Sequence, residues 1–264
     1  MPDDASPESL AQLLRWYADM GVDMAVDDVP HDRFAEAQSP AKAPPPPPPA
    51  PRRVAAAPPP LTAPPVRSEQ GAPDVVNAQT LDDLRAQLLT FDGCGLKATA
   101  TQLVFADGNP EADIMFVGEA PGADEDRIGR PFVGRAGQLL DKMLAAIGLD
   151  RTSVYIANVV PWRPPGNRTP TPLETGACLP FTRRQIELVA PKILICLGAP
   201  SMQTLLGVKE GIMRSRGRWM DYDRGGTIIP AMAMLHPAYL LRQPSHKKFA
   251  WQDLRALAKK LRDI

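Results

Sequence analysis

The chain has 264 residues, 44% of them apolar, which is enough for a folded core, and its 30 basic side chains are balanced by 30 acidic ones. A net charge of zero argues against a nucleic-acid partner until the chain is divided: residues 1–74 hold 6 basic and 11 acidic side chains, leaving 24 basic against 19 acidic beyond them. No apolar run approaches the roughly 18–20 residues that span a bilayer, the start Met1-Pro2-Asp3-Asp4 lacks the pattern of a secretion signal, and Cys94, Cys178 and Cys196 make no disulfide framework, so a cytoplasmic protein is expected.

In chain order, Leu10, Leu13, Leu14 and Tyr17 form one apolar helical stripe within residues 7–20, which either folds back on the main domain or docks a protein partner. Of 31 prolines, 17 precede Asp74, including Pro44 to Pro49. Such a segment cannot donate regular backbone hydrogen bonds, so residues 38–74 read as a disordered, semi-rigid linker. Three parts result: a short helix with an acidic segment over 1–37, the linker over 38–74, and one folded domain over 75–264.

Within that domain, Thr80 caps a helix whose buried face is Leu81, Leu84, Leu88 and Leu89. Strands are expected at Ala112 to Val117, Val154 to Val160, Lys192 to Leu197 and Thr227 to Met234. Helical patterns stand between them at Gln138 to Ile147, Leu173 to Val189 and Ala199 to Leu206, and a last helix runs from Lys247 to Arg262. The alternation predicts an α/β fold, a three-layer α/β/α domain with a central, mainly parallel, four-stranded sheet.

Polar clusters follow three of these strands: Gly118-Glu119-Ala120-Pro121-Gly122, continuing through the acids Asp124, Glu125 and Asp126 to Phe132; Asn158 with Arg163-Pro164-Pro165-Gly166-Asn167-Arg168; and His236-Pro237-Ala238-Tyr239-Leu240-Leu241-Arg242. In an open parallel sheet they gather at the carboxyl edge, where such folds bind ligands. An acid, an amide and an imidazole from three strand ends suit a planar polar ligand. Singly, each has a plainer reading: His236 as a loop cap, Asn158 as a turn former, Phe132 as a core aromatic, and the acids as a solvated charge run.

These motifs resemble the family 4 uracil-DNA glycosylases, from about Leu96 to Leu254. The resemblance implies hydrolysis of the N-glycosidic bond of deoxyuridine by base flipping, on single- or double-stranded DNA, by a monomer. It places Glu119 beside the sugar and the attacking water, and Phe132 under the base. Asn158, with the Gly118 backbone, reads uracil, His236 donates to its O2, and Glu125 stands by its C5 edge. Tyr239, Leu240 or Leu241 would fill the gap left by the flipped nucleotide, with Arg242, Arg163, Arg168, Lys247 and Lys248 near phosphates. A non-catalytic uracil-DNA-binding or polymerase-associated protein of the same fold is the alternative.

The chain departs from the family at its metal centre. Family 4 enzymes hold a four-iron, four-sulfur cluster through four cysteines, and here Cys94 and Cys178 match two of those positions while Phe91 and Trp162 occupy the others. Neither aromatic can ligate iron, so no cluster and no other cofactor is expected, with an apolar plug in its place and the two remaining thiols near each other.

Overall fold

Met115 and Val117 face one side of the sheet and Ile114 and Phe116 the other, all buried, so the strand β2 (Ile114–Gly118) joins two cores. The computed structural model describes residues 77–263. The stripe at 7–20, the linker over 38–74 and the expected domain start at 75 lie outside the described residues.

β2 pairs in parallel with β3 (Tyr155–Asn158) on one side and β4 (Ile193–Leu197) on the other, and β4 pairs in parallel with β6 (Ile228–Met234). These are the four expected strands. Two antiparallel edge strands, β1 (Asp107–Gly108) and β5 (Trp219–Asp223), extend the sheet to the order β1-β3-β2-β4-β6-β5. The expectation of four strands is therefore corrected to a mixed sheet of six. β1 is two polar residues long, too short for any periodic signal. β5 alternates apolar and acidic side chains as a half-exposed edge does, and Gly225 and Gly226, both at positive φ, turn it into β6.

One core lies under α1 (Leu81–Thr90), α4 (Pro172–Val189) and α5 (Ala199–Leu206), through Leu84, Leu88, Phe181, Ile186 and Met202. The other lies under α3 (Arg135–Ala145), α7 (Pro237–Arg242) and α8 (Lys247–Leu261), through Leu140, Leu144, Leu240, Leu254 and Leu257. The three layers are thus as expected. α1 has the Thr80 capping box, but Leu89, assigned to its buried face, is 50% exposed. Two short helices, α2 (Ala123–Ile128) and α6 (Ile212–Ser215), fall outside the expected helices.

The body begins firmly at Ala78, which is fully buried and whose carbonyl accepts two hydrogen bonds from the Arg184 guanidinium, at 2.8 and 2.9 Å. No helix of the described residues is long and apolar enough to cross a membrane.

Candidate active site

Because β3, β2, β4 and β6 run parallel, their carboxyl ends share one edge. There they enclose a cavity of about 560 Å³ whose wall includes Glu119, Phe132, Asn158, Thr169, Gly198 and His236. Such a volume is typical for a small-molecule pocket. Backbone pairing continues past β2, with Val159 N–H donating to the Gly118 carbonyl and Val160 N–H to that of Glu119, each at 3.0 Å. Glu119 and Asn158 are thereby held by the sheet ladder rather than by free loops.

Glu119 Oε1 is the one buried side-chain oxygen or nitrogen without a hydrogen-bond partner among the described residues. Burial raises the pKa of this carboxylate, and the Thr169 hydroxyl beside it pulls in the opposite direction. An orphaned buried oxygen costs roughly 1–3 kcal/mol or more, so the fold keeps this one against its own stability.

Asn158 and Phe132 are both 5% exposed, and both crowd Gly118. A Cβ at Gly118 would come within 2.4 Å of Asn158 Oδ1 and 2.7 Å of Phe132 Cζ, so glycine is required there for the amide and the ring to meet. Phe132 has φ 54°, a left-handed conformation costly for an aromatic residue. Arg151 holds it: its guanidinium donates to the carbonyls of Pro131 and Phe132 and pairs with Asp107 and Asp141. Gly137 leaves room for the same Phe132 carbonyl.

The His236 ring stacks on Phe132 with centroids 5.4 Å apart. Burial, with the nearby Arg242 cation, pushes its pKa down to about 4. The ring is therefore neutral at physiological pH. Its Nδ1 accepts from Ala238 N–H at 3.1 Å, so the single proton sits on Nε2, which is left as a donor. Gly198, at φ 94°, lets the turn after β4 pass His236, where a Cβ would lie 3.2 Å from the histidine's own.

The remaining sequence-assigned residues divide. Tyr239 and Arg242 line the cavity, and Tyr239 Oη shares a hydrogen bond of 2.7 Å with His246 Nδ1. Leu240 is 1% exposed within the second core, so it anchors α7 and is not free to act as a wedge, whereas Leu241 is partly exposed. Glu125 lines the cavity, yet its carboxylate accepts backbone N–H groups of Gly122, Val133 and Gly134 at 3.1, 2.9 and 2.9 Å. It clasps the loop that carries Phe132.

Arg163 donates to Asn167 Oδ1 at 2.7 Å, and Arg168 forms a two-pronged pair with Glu174 at 2.8 and 2.6 Å. Lys247 is exposed at the first turn of α8. Thr169, Arg151 and the Gly198-Ala199-Pro200 turn were not singled out from sequence. Only the glycine directly after a strand could have signalled the last.

The residues present do not fit an iron–sulfur cubane. Two thiols stand where four irons need four ligands, and the space at the other two positions is filled. Trp162 is 2% exposed and stacks on Phe91 at 6.4 Å between centroids, while Phe91 packs on Phe181 at 4.8 Å. The Phe91 ring folds back over Gly93, where a Cβ would meet it at 2.4 Å. Cys94 and Cys178 are free and buried, and each shifts the titration of the other. The neighbouring Cys94, with burial, pushes the Cys178 thiol far above its ordinary pKa. Among the described residues no group of three or more His, Cys, Asp or Glu side chains could hold a metal ion.

The family model described as the uracil DNA glycosylase superfamily matches residues 105–255. A type-4 uracil-DNA glycosylase of Archaeoglobus fulgidus is 40% identical over 183 residues, covering 68% of this chain and 92% of the relative. One from Thermotoga maritima is 46% identical over 155 residues, covering 58% and 79%, and one from Sulfurisphaera tokodaii is 38% identical over 193 residues, covering 70% and 84%.

Proposed function

The chain belongs to the type-4 uracil-DNA glycosylases, and from that premise we propose that it hydrolyses the N-glycosidic bond of deoxyuridine in DNA, releasing uracil and leaving an abasic site. The observation that carries turnover, beyond family membership, is the buried, unpartnered oxygen of Glu119 on the wall of the cavity that Asn158, Phe132 and His236 share.

In this reading the deoxyuridine is flipped into the cavity and its ring lies against Phe132, where stacking supplies roughly 1–3 kcal/mol. The Asn158 amide donates to uracil O4 and accepts from N3–H, a pattern that cytosine reverses at both positions. As the bond from C1′ to N1 breaks, its electron pair moves onto the base, and the Nε2–H of neutral His236 donates to O2 where that charge collects. Glu119 orients water toward C1′, stabilises the positive sugar, and takes the proton that the water loses on adding. Every group in the scheme is a side chain of the cavity, and no metal takes part.

A binding protein without turnover would have no use for a buried carboxylate oxygen that no protein group pairs, which favours the enzyme over that second reading. The test is release of uracil from single- and double-stranded oligonucleotides by the full chain and by Glu119→Gln and Asn158→Asp. Wild type is expected to leave alkali-labile sites, and each variant to lose at least about a hundredfold in single-turnover rate while remaining folded by circular dichroism. No excision by wild type, or full excision by Glu119→Gln, would overturn the reading.

A further inference from the structure

α8 begins at Lys247, one short turn after α7, and the hydrogen bond between Tyr239 and His246 ties its start to the cavity wall. At 100° per residue, Lys247, Lys248, Trp251, Arg255, Lys259 and Arg262 fall within about a third of the helix circumference, on the flank of its buried stripe. All six are exposed, and Trp251 presents 46% of its surface to solvent. Asp253, the one acid within α8, points inward at 1% exposure and is bound by Arg216. The flank therefore carries one sign of charge around one large aromatic.

Helix stability does not explain this. Cations in the last turn, such as Lys259, suit the negative end of the helix dipole, but Lys247 and Lys248 stand at its positive end, where no acid accompanies them. Nor does packing explain the indole, since Ala250, Leu254 and Leu257 already make the contact with the core. A cationic strip with an exposed aromatic is the chemistry that grips an unpaired polynucleotide: phosphates meet the cations and a base stacks on the ring.

We propose that this flank of α8 is a track for single-stranded DNA running from the cavity mouth, with an unpaired base of the substrate stacked on Trp251 and its phosphates held by Lys248, Arg255 and Lys259. The proposal rests on the glycosylase reading for the direction of the strand, and it predicts that strand separation beside the lesion is captured outside the pocket.

The test is binding of the full chain to an oligothymidylate of about fifteen nucleotides, which contains no uracil, and to a duplex of equal length. Trp251→Ala is expected to weaken oligothymidylate binding at least about fivefold while leaving duplex binding unchanged, and Trp251→Phe to retain most of the affinity. Arg255→Gln with Lys259→Gln is expected to reduce the slope of log K against log salt by about 1.4, at about 0.7 per phosphate contact on a single strand. Uracil release from a trinucleotide, which reaches only the cavity, should be unaffected by Trp251→Ala. Unchanged oligothymidylate affinity in Trp251→Ala, an equal loss on duplex, or an unaltered salt slope overturns the track. If wild type binds oligothymidylate as described but releases no uracil, the glycosylase reading fails and the track stands.

Discussion

Two ionisable side chains of the site are held away from their ordinary states in directions that suit opposite tasks. Glu119 is pushed up by burial and His236 is pushed down to about 4. Activity in the proposed scheme needs Glu119 ionised and His236 neutral. Raising the pH through the elevated Glu119 value supplies the first, and the downward shift of His236 favours the second. The rate of uracil release is therefore expected to rise along a single acid limb set by Glu119 and to show no step at the ordinary histidine pKa of about 6.5. A profile of single-turnover rate against pH checks this, and a step there that disappears in His236→Asn would mean that the histidine titrates during catalysis. The identities of Glu119, Asn158 and His236 were legible from the residues that follow each strand. The state of His236 was not, because it depends on Ala238 N–H and on burial, which no local pattern encodes.

At the scale of elements, the segment between α1 and β1 and the first half of α4 meet around the two buried thiols, Cys94 and Cys178. Trp162, from the turn after β3, carries the contact there together with Phe91 and Phe181. Trp162→Ala removes a buried aromatic whose surroundings are fixed by the sheet and by α4, so a loss of about 3–5 kcal/mol is expected in chemical denaturation. A change below about 1 kcal/mol would show that the plug contributes little. The Phe91 and Trp162 substitutions were visible in sequence, and the expectation that rings fill the space follows from their size. What sequence did not reveal is the third ring, Phe181, or the need for Gly93 beneath Phe91. Both are contacts between segments far apart in the chain or folded back on themselves. Edge strands were lost for a related reason: β1 has two residues and β5 has one wet face, so neither bears the apolar run that marked the four central strands.

For the whole molecule, the described body closes upon itself at Ala78, beneath Arg184, and the family model matches residues 105–255 within that body. A chain beginning at residue 75 is therefore expected to melt as the full chain does and to release uracil from oligonucleotides at a similar rate. A drop of more than about 1 kcal/mol in stability would show that residues 1–74 contribute to the fold. Protein purified from iron-supplemented cells is expected to lack the broad visible absorption of an iron–sulfur cluster, and about four irons per chain on metal analysis would contradict the two-thiol geometry. The sequence by itself determined the layered α/β architecture, the four central strands, the family and the loss of two cluster ligands, because burial periodicity and motif order are properties of neighbouring residues. Only the tertiary structure decided that Glu119 keeps an unpartnered oxygen, that Arg151 pins Phe132 in its left-handed turn, that Glu125 clasps the Phe132 loop, and that Arg163 and Arg168 are already paired. Each of these depends on which groups the fold brings side by side, and the upward shift of Glu119 on how far packing buries it, neither of which a local pattern encodes.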